Sequence, residues 1–597
     1  MSALIFFLAF LLRIFFVPHP GFKADIAYWK WWGMSAAHDG IVGPLIHTAY
    51  NYPSFYLYIL KATSHLYEFI TGYNYQLDQQ STYFWNDSNL LYLFLIKLPY
   101  ILADLGIGIL IYKIVKMVLP FHKKNSFTAL LAASFYLFNP VVIYNSALWG
   151  QTDSLGSLFV LLSFYFLLKE RFLLVGIFAA ISVFMKTQTI IFLPLFFLAG
   201  MLLSKKPVEN LIRCLWVFFA TVIVINLPFL ANHLMDRVFD IMYTSQLYFP
   251  YVSMNAYNLW WIFFGKNSSS FLDQQPLLSF LTYKTAGVLL FGFFYSLSLT
   301  LFVQTKNITD TLVKTKIFLS ALIIASFAFF LVLTQMHERY LFPLFAFYPI
   351  LLGLEYINKN KTRFLFLTSC FLILSILILL NLHQVMIMNY PDNTLPFFPN
   401  VFSEELTKIV AFLNLIIFIV LVTLLTQTIS FTKKILILLL FILLITLNAI
   451  PSLWNSSKNI ISLSKIKPIS QKQGFGTLAV NRNLSNNWLA SLYYYSFEGL
   501  ATHAYSEIVY NLNGNYHTFT SMYGVDNSAN TNATVIFVIK DEKGRQLYKS
   551  PKITRFSLPG YLKVNVKGVQ KLYLIVEDAG DGINSDHADW LDPRLYK

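Results

Sequence analysis

Charge is what this sequence has least of. Only 12% of its 597 residues are Asp, Glu, Lys or Arg while 56% are hydrophobic, and soluble domains carry about 25% charged residues. An ordinary water-soluble protein is excluded. Cysteine is almost missing too: Cys214 and Cys370 stand far apart inside apolar runs, so no disulfide framework is implied. The polar C-terminal stretch has none and must hold together by its own core. Acidic residues are the scarcer sign, 29 against 44 basic, for a net charge of +15. Such a surplus can mark a nucleic-acid binder, but here the basic residues fall mostly in short loops between apolar runs.

What the chain has in abundance is apolar runs long enough for roughly 30 Å of hydrocarbon. They lie near 1–17, 89–115, 127–145, 153–168, 172–185, 188–203, 211–230, 276–303, 317–334, 341–357, 364–383, 406–427 and 435–451. A polytopic α-helical membrane protein with about thirteen spans is expected. Alternate connections carry Lys113, Lys116, Lys123 and Lys124; Lys169 and Arg171; Lys205 and Lys206; Lys306, Lys314 and Lys316; Lys359, Lys361 and Arg363; and Lys433 and Lys434. By the positive-inside rule these loops are cytoplasmic, which puts the N-terminus inside and everything after residue 452 outside. Residues 1–17 read as a retained span rather than a signal peptide. No basic segment precedes them, and Val17-Pro18-His19-Pro20 is a poor cleavage site.

Residues 1–452 therefore form a membrane domain with a long first outer loop, 18–88, and two further outer loops at 231–275 and 384–405. Their Trp, Tyr and Phe suit headgroup depth, and long loops of this kind line substrate sites. Past Trp454 the composition turns to Ser, Asn, Lys and Gly. Residues 453–484 read as a linker and 485–597 as an extracytoplasmic all-β sandwich. Its alternating segments at 506–510, 533–539 and 571–576 are separated by turn signals at Asn513-Gly514 and 541–544.

Ionisable residues at span ends are costly unless paired or functional, and five groups fall on the outer side. They are Asp25 with Lys23 and Lys30; Asn51-Tyr52-Pro53; Trp149-Gly150-Gln151-Thr152-Asp153; Lys186-Thr187-Gln188; and His337-Glu338-Arg339-Tyr340. Each has a plainer reading. Asp25 and Asp153 could cap helices, Lys186 could snorkel to the interface, and 337–339 could be a structural ion-pair knot. Lys97 and Asp104, seven apart, could pair within one span. The shared side of the five groups is the informative part.

That face suits glycosyl transfer from a lipid-linked donor. Displacing a polyprenyl phosphate from a sugar carbon needs a base for the acceptor hydroxyl, a role Asp25 can fill. It also needs cations for the departing phosphate, which Arg339, His337 or Lys186 can supply. Trp149 and the aromatics from Tyr28 to Trp32 suit the apolar faces of sugars.

With Asp25 after the first span, Asn51-Tyr52-Pro53, Asn139-Pro140, Ser146 to Asp153 and His337-Glu338-Arg339, residues 1–450 resemble the GT-C superfamily of integral-membrane glycosyltransferases. The likeness is strongest to bacterial proteins similar to the second mannosyltransferase of GPI-anchor synthesis, and more distant to dolichol-linked glucosyltransferases. The resemblance implies an inverting transfer of mannose, glucose or another hexose from a polyprenyl-phosphate monosaccharide on the outer leaflet, to a lipid-linked or cell-surface glycan. Asp25 would be the general base. Lys23, Tyr52, Trp149, Gln151, Asp153, Lys186, Gln188, His337, Glu338 and Arg339 would contact substrate. The glucosyltransferases carry His-Glu-Lys and Tyr-Pro-Pro where this chain has His337-Glu338-Arg339 and Tyr52-Pro53-Ser54.

Residues 485–597 resemble the NPCBM carbohydrate-binding family. The matching residues are Tyr516 to Phe519, Gly524-Val525-Asp526, Phe537-Val538, Gly568, Asp578 to Gly582, and Ser585 to Trp590. Asp586, His587 and Trp590 are the expected glycan contacts. Asp578, Asp581 and Asp586 offer hard oxygen ligands for a structural calcium; the plainer reading is an acidic turn with Trp590 in the core. No other cofactor is implied, and the expected partners are donor, glycan acceptor and bilayer, with no nucleic acid. Two rivals remain: a transporter or flippase for lipid-linked sugars, with polar groups at mid-membrane depth, and a non-catalytic glycan-binding scaffold.

Overall fold

The computed structural model describes all residues except 1, 74, 76–80, 86, 120–124, 204–205, 245–248, 279–280, 358–359, 394–401, 457–459 and 493. Lys123, Lys124, Lys205 and Lys359, assigned above to cytoplasmic loops, lie outside the described residues. The chain divides into two compact units, Met1–Asp273 with Ala286–Ile442, and Gln274–Thr285 with Leu443–Lys597.

The first unit is helical, and the chain is a membrane protein. Among the described residues six helices are long and apolar enough to cross a bilayer: Leu90–Val118, Pro207–Ala231, Tyr283–Gln304, Thr311–Val332, Lys361–Asn389 and Glu404–Leu425. A bent pair, Asn125–Leu137 with Pro140–Trp149, makes up to seven. The helices Ser2–Phe16, Asp153–Leu168, Phe172–Met185 and Phe342–Tyr356 fill other expected runs but are shorter. Length therefore supports fewer spans than the thirteen apolar runs suggest. Thr311–Val332, with 89% of its apolar window buried, is the central helix, whereas Pro207–Ala231, at 22%, is peripheral.

Two apolar runs are interrupted, the first of them just before Trp149. Pro140 has no N–H and forces Asn139 out of the helical region, to ψ 125°. Asn139 Oδ1 then caps the new segment through the Val141 N–H at 2.9 Å. The axis turns by 50°, and the chain continues as a π-helix over Tyr144–Trp149 that ends on Gly150 at φ 86°. Such π segments are rare and concentrate at functional sites. The apolar run at 276–303 begins with an antiparallel strand pair, Pro276–Leu278 with Leu281–Thr282. Thr282 Oγ1 accepts the Thr285 N–H at 3.1 Å at the start of the helix.

Lys97 and Asp104 do not pair with each other. Asp104 takes Arg13 Nε at 2.8 Å, Tyr136 at 3.0 Å, Ser146 at 2.5 Å and Ser154 at 2.6 Å. These hydroxyls and the guanidinium satisfy a fully buried carboxylate. Lys97 instead donates to the carbonyls of Val17 (3.2 Å), His19 (2.6 Å) and Leu148 (3.0 Å).

The long first loop is helical: Lys23–His38, Gly43–His47, Phe55–Thr71 and Ser81–Trp85. Its aromatics form a core in which Trp29 meets Tyr52 and Tyr56 edge-on at 4.9 and 5.1 Å, and Trp32 meets Tyr50 at 4.8 Å. Edge-to-face contacts of this kind add about 0.5–1.5 kcal/mol each beyond burial.

The second unit is all-β at its C-terminal end. One antiparallel sheet runs Gly560–Asn565, Thr518–Val525, His587–Tyr596, Gly499–His503, Ala479–Val480, with Ile460–Ser462 also paired to His587–Tyr596. The other runs Gln546–Lys549, Thr534–Lys540, Lys571–Asp578, Ser506–Asn511, Ser470–Lys472, with Ile553–Thr554 also paired to Thr534–Lys540. The expected linker 453–484 is thereby corrected. Strands at 460–462, 470–472 and 479–480 lie inside these sheets, because strands of two or three residues are too short to show an alternating pattern and take their place from backbone pairing.

Candidate functional site

The helix Lys23–His38 carries Asp25 in its first turn, yet its N-cap is Phe22 and no side chain caps it. The carboxylate is used otherwise. Trp149 Nε1 donates to Asp25 Oδ2 at 3.3 Å and Gln151 Nε2 donates to the same oxygen. Trp149 is the last residue of the π-helix and Gln151 lies in the loop that follows it. Phe22 stacks on Trp149 with centroids 5.1 Å apart and planes 4° from parallel, its N–H donates to Trp149 O at 3.2 Å, and Trp29 Nε1 donates to Gly150 O at 3.2 Å.

Asp153 opens the helix Asp153–Leu168 without capping it. It takes Lys186 Nζ, Gln188 Nε2 at 3.4 Å and Asn145 Nδ2 at 3.2 Å. Lys186 is buried rather than snorkelling. The connection before the helix Phe342–Tyr356 supplies Glu338, bonded to Arg339 Nη1 at 2.5 Å and 3.8 Å from His337 Nδ1. The ion-pair knot is real, and among the described residues Arg339 Nε is buried without a hydrogen-bond partner. Met254 and Asn255, in the loop 231–275, bridge to His337, which fixes the knot's backbone.

Electrostatics tie the clusters together. Burial raises the Asp25 pKa above the ordinary carboxylate value, with Arg339 and the Trp149 N–H opposing, Glu338 reinforcing and Lys186 opposing. Burial pushes Tyr52 up to about 12 against the field of Arg339, with Asp25 and Asp153 adding to the rise. Burial and the neighbouring Arg339 lower His337, so its imidazole is neutral at pH 7. Glu338 is held at about 2, since Arg339 and His337 outweigh the burial that opposes them. Asp25, Tyr52, Gln151, Asp153, Lys186, Glu338 and Arg339 thus share one region. Trp149 lies beneath Asp25, fully buried.

Lys23 is the exception, its ammonium 6.0 Å from the Tyr390 ring. Sequence reading passed over Tyr390 and Arg13 at the site, and placed Tyr340 in the His337 cluster without giving it a contact. Tyr390 accepts the Ala24 N–H at 3.0 Å. Tyr340 lies under both Lys186 and Arg339, 5.9 and 6.0 Å from its ring centre. Arg13, a lone charge in the first apolar run, anchors Asp104; its isolation was the available signal.

In the C-terminal unit Trp590 is fully buried, edge-on to Phe537 at 4.9 Å. It is a core residue and no stacking platform, which corrects the expectation of a sugar contact. Asp586 is buried as well and accepts the Thr534 N–H at 3.0 Å. Burial and the neighbouring Asp581 and Asp578 carboxylates raise its pKa to about 6 despite that bond. His587 is half-buried, 5.6 Å from His503, whose ring lies 5.5 Å from that of the exposed Phe475. Asp581 is engaged by Thr534 and Lys552, and Asp578 by the Gly582 N–H. Among the described residues no group of three His, Cys, Asp or Glu is placed to hold a metal. The side chains named for calcium do not fit that role here.

Comparison with known proteins follows the same division. Residues 459–596 match the NPCBM/NEW2 domain. The match begins before the expected boundary at 485, in agreement with the early strands. Residues 49–274 match the GPI transamidase subunit PIG-U. No curated protein matches.

Among solved structures the chain is similar to CBM51 from Clostridium perfringens GH95 in complex with methyl-galactose (30% identity, TM-score 0.22, 23% of this chain and 99% of that one). It is also similar to CBM51-2 with INT domains from Clostridium perfringens ZmpB in complex with GlcNAc (29%, 0.22, 23% and 31%). A third is arabinosyltransferase EmbB from Mycobacterium smegmatis (10%, 0.34, 99% and 64%). The chain spans less than a third of the ZmpB structure and 64% of EmbB. A TM-score of 0.34 does not establish a common fold over the membrane unit.

Proposed function

We propose that this protein is an inverting glycosyltransferase that takes a hexose from a polyprenyl phosphate on the outer leaflet and passes it to a lipid-linked or cell-surface glycan. The observation that carries this reading is Asp25 itself. It is partly buried, its basicity is raised, and Trp149 and Gln151 orient one carboxylate oxygen. An aspartate used as a cap or a surface charge has no need of that arrangement. In the reaction Asp25 accepts the acceptor hydroxyl proton, the alkoxide oxygen attacks the anomeric carbon, and the carbon–oxygen bond to phosphate breaks, its electron pair leaving on polyprenyl phosphate. Arg339 and Lys186 offset the developing charge. Neutral His337 contributes an N–H donor rather than a cation.

In this reading the apolar runs make thirteen spans, the N-terminus is cytoplasmic, and the NPCBM domain holds glycan outside. Mannose is the leading donor sugar by the family resemblance alone. The glycan contact shifts from Trp590 and Asp586 to the half-buried His587 with His503 and the exposed Phe475.

The test is purified protein in lipid with candidate polyprenyl-phosphate sugars, reading released polyprenyl phosphate. Asp25→Asn is expected to lose transfer while unfolding at the wild-type temperature, and a fully active variant ends the assignment. The PIG-U match favours one alternative, a non-catalytic glycan-binding subunit. Its signature is a function indifferent to Asp25→Asn and lost when residues 459–597 are removed.

A further inference from the structure

We propose that Lys97 is a positioning residue for transfer: its ammonium, lodged among the carbonyl oxygens of Val17, His19 and Leu148, locks the segment that carries Asp25 onto the segment that carries Trp149. The proposal rests on the function given above. Lys97 is fully buried in the helix Leu90–Val118. Its three N–H donors meet three acceptors at 3.2, 2.6 and 3.0 Å, which fills the capacity of an ammonium. The acceptors come from two strategic places. Val17 and His19 follow the end of the helix Ser2–Phe16, and Leu148 lies in the last turn of the π-helix. Helix C-termini carry partial negative charge from unpaired carbonyls, so a single cation where two of them meet draws both inward.

What the clamp joins is the machinery itself. Six residues after His19 comes Asp25, and one residue after Leu148 comes Trp149, whose indole donates to that carboxylate. The two segments touch so closely that side-chain atoms are excluded at the crossing. Gly21 sits at φ 70°, and a Cβ there would lie 2.4 Å from Trp149 O and 3.0 Å from Leu148 O. On the far side of the Asp25 segment, Asn393 Nδ2 donates to Gly21 O at 2.7 Å and Tyr390 caps the Ala24 N–H. Loss of the ammonium leaves three buried carbonyls repelling one another, and the segments part where Asp25 needs its donors.

Two variants test this without touching a reacting group. Lys97→Met keeps the unbranched length and removes the donors; Gly21→Ala leaves Lys97 intact and wedges the crossing. Both are expected to lower kcat roughly 100-fold, the scale of a 1 Å misplacement, with KM for the donor within about threefold. Both should also move the acid limb of the pH profile upward, because Asp25 loses the Trp149 N–H. The groups facing Asp25, namely Arg339, Glu338 and Lys186, are unchanged in either variant.

Carbodiimide labelling of Asp25, followed by peptide mass spectrometry across pH, reads the same protonation without turnover. Labelling should persist to higher pH in both variants. If Lys97→Met does not fold, Gly21→Ala carries the test. Folded variants with wild-type kcat and an unmoved labelling curve overturn the role of Lys97. A wild-type protein that transfers nothing overturns the proposed function instead, while the labelling curve still decides whether Lys97 positions Asp25.

Discussion

Asp25 and Arg339 set the pH behaviour expected of the site. Burial raises the Asp25 pKa and Arg339 opposes it, so the deprotonated base accumulates only above the usual carboxylate range near 4. Transfer should rise with pH through that raised value. Arg339→Gln removes the opposing charge and should move the acid limb higher still, in addition to weakening donor binding; a limb that moves lower contradicts the assigned contact. Glu338 has the opposite linkage. Its depressed folded value of about 2 means the ion pair contributes stability above the unfolded pKa near 4.5, lost as pH falls toward 2.

Among elements, the bent pair Asn125–Leu137 and Pro140–Trp149 does most to place the site, and Asp104 braces it from below. Ser146 within the π-helix and Ser154 beyond the motif both bond to Asp104, and Arg13 supplies the charge. Removing one member strands the other, which costs about 3–5 kcal/mol for a buried pair. Arg13→Met should therefore lower the unfolding temperature sharply, whereas Arg13→Met with Asp104→Leu should recover part of the loss; equal stability in both variants would show the pair to be inert. In the β-sandwich, Trp590→Ala empties a buried indole site and should cost about 3–5 kcal/mol. His587→Ala, half-buried at the first position of its strand, should leave the unfolding temperature unchanged and weaken glycan retention. Both are measured by thermal unfolding with a glycan-array readout.

For the whole molecule, the proposed function gives the two units separate tasks. A chain ending before residue 459 should still transfer hexose to a small soluble acceptor but be lost from a glycan affinity matrix. Loss of both together would show that the β domain is part of the catalytic unit.

Much of this was legible without coordinates. Long apolar runs specify membrane helices because hydrocarbon admits no unpaired backbone, and alternating segments at 506–510, 533–539 and 571–576 specify strands because side chains alternate across a pleat. Motif residues such as Asp25, Trp149 and Gln151 stand out because charge and amides are expensive beside apolar runs. Partner choice was not legible. Lys97 and Asp104 are spaced to meet, yet Arg13 and three carbonyls claimed them. Strands 460–462 and 470–472 carry no pattern of their own and take their place from neighbours. Trp590 reads equally as a sugar platform or a core residue until Phe537 is seen against it. The sequence by itself determined the long apolar helices and the central strands of the C-terminal domain, since those follow from local periodicity and the solvent. Only the tertiary structure decided which distant groups satisfy each buried charge, because that depends on three-dimensional proximity that no spacing along the chain encodes.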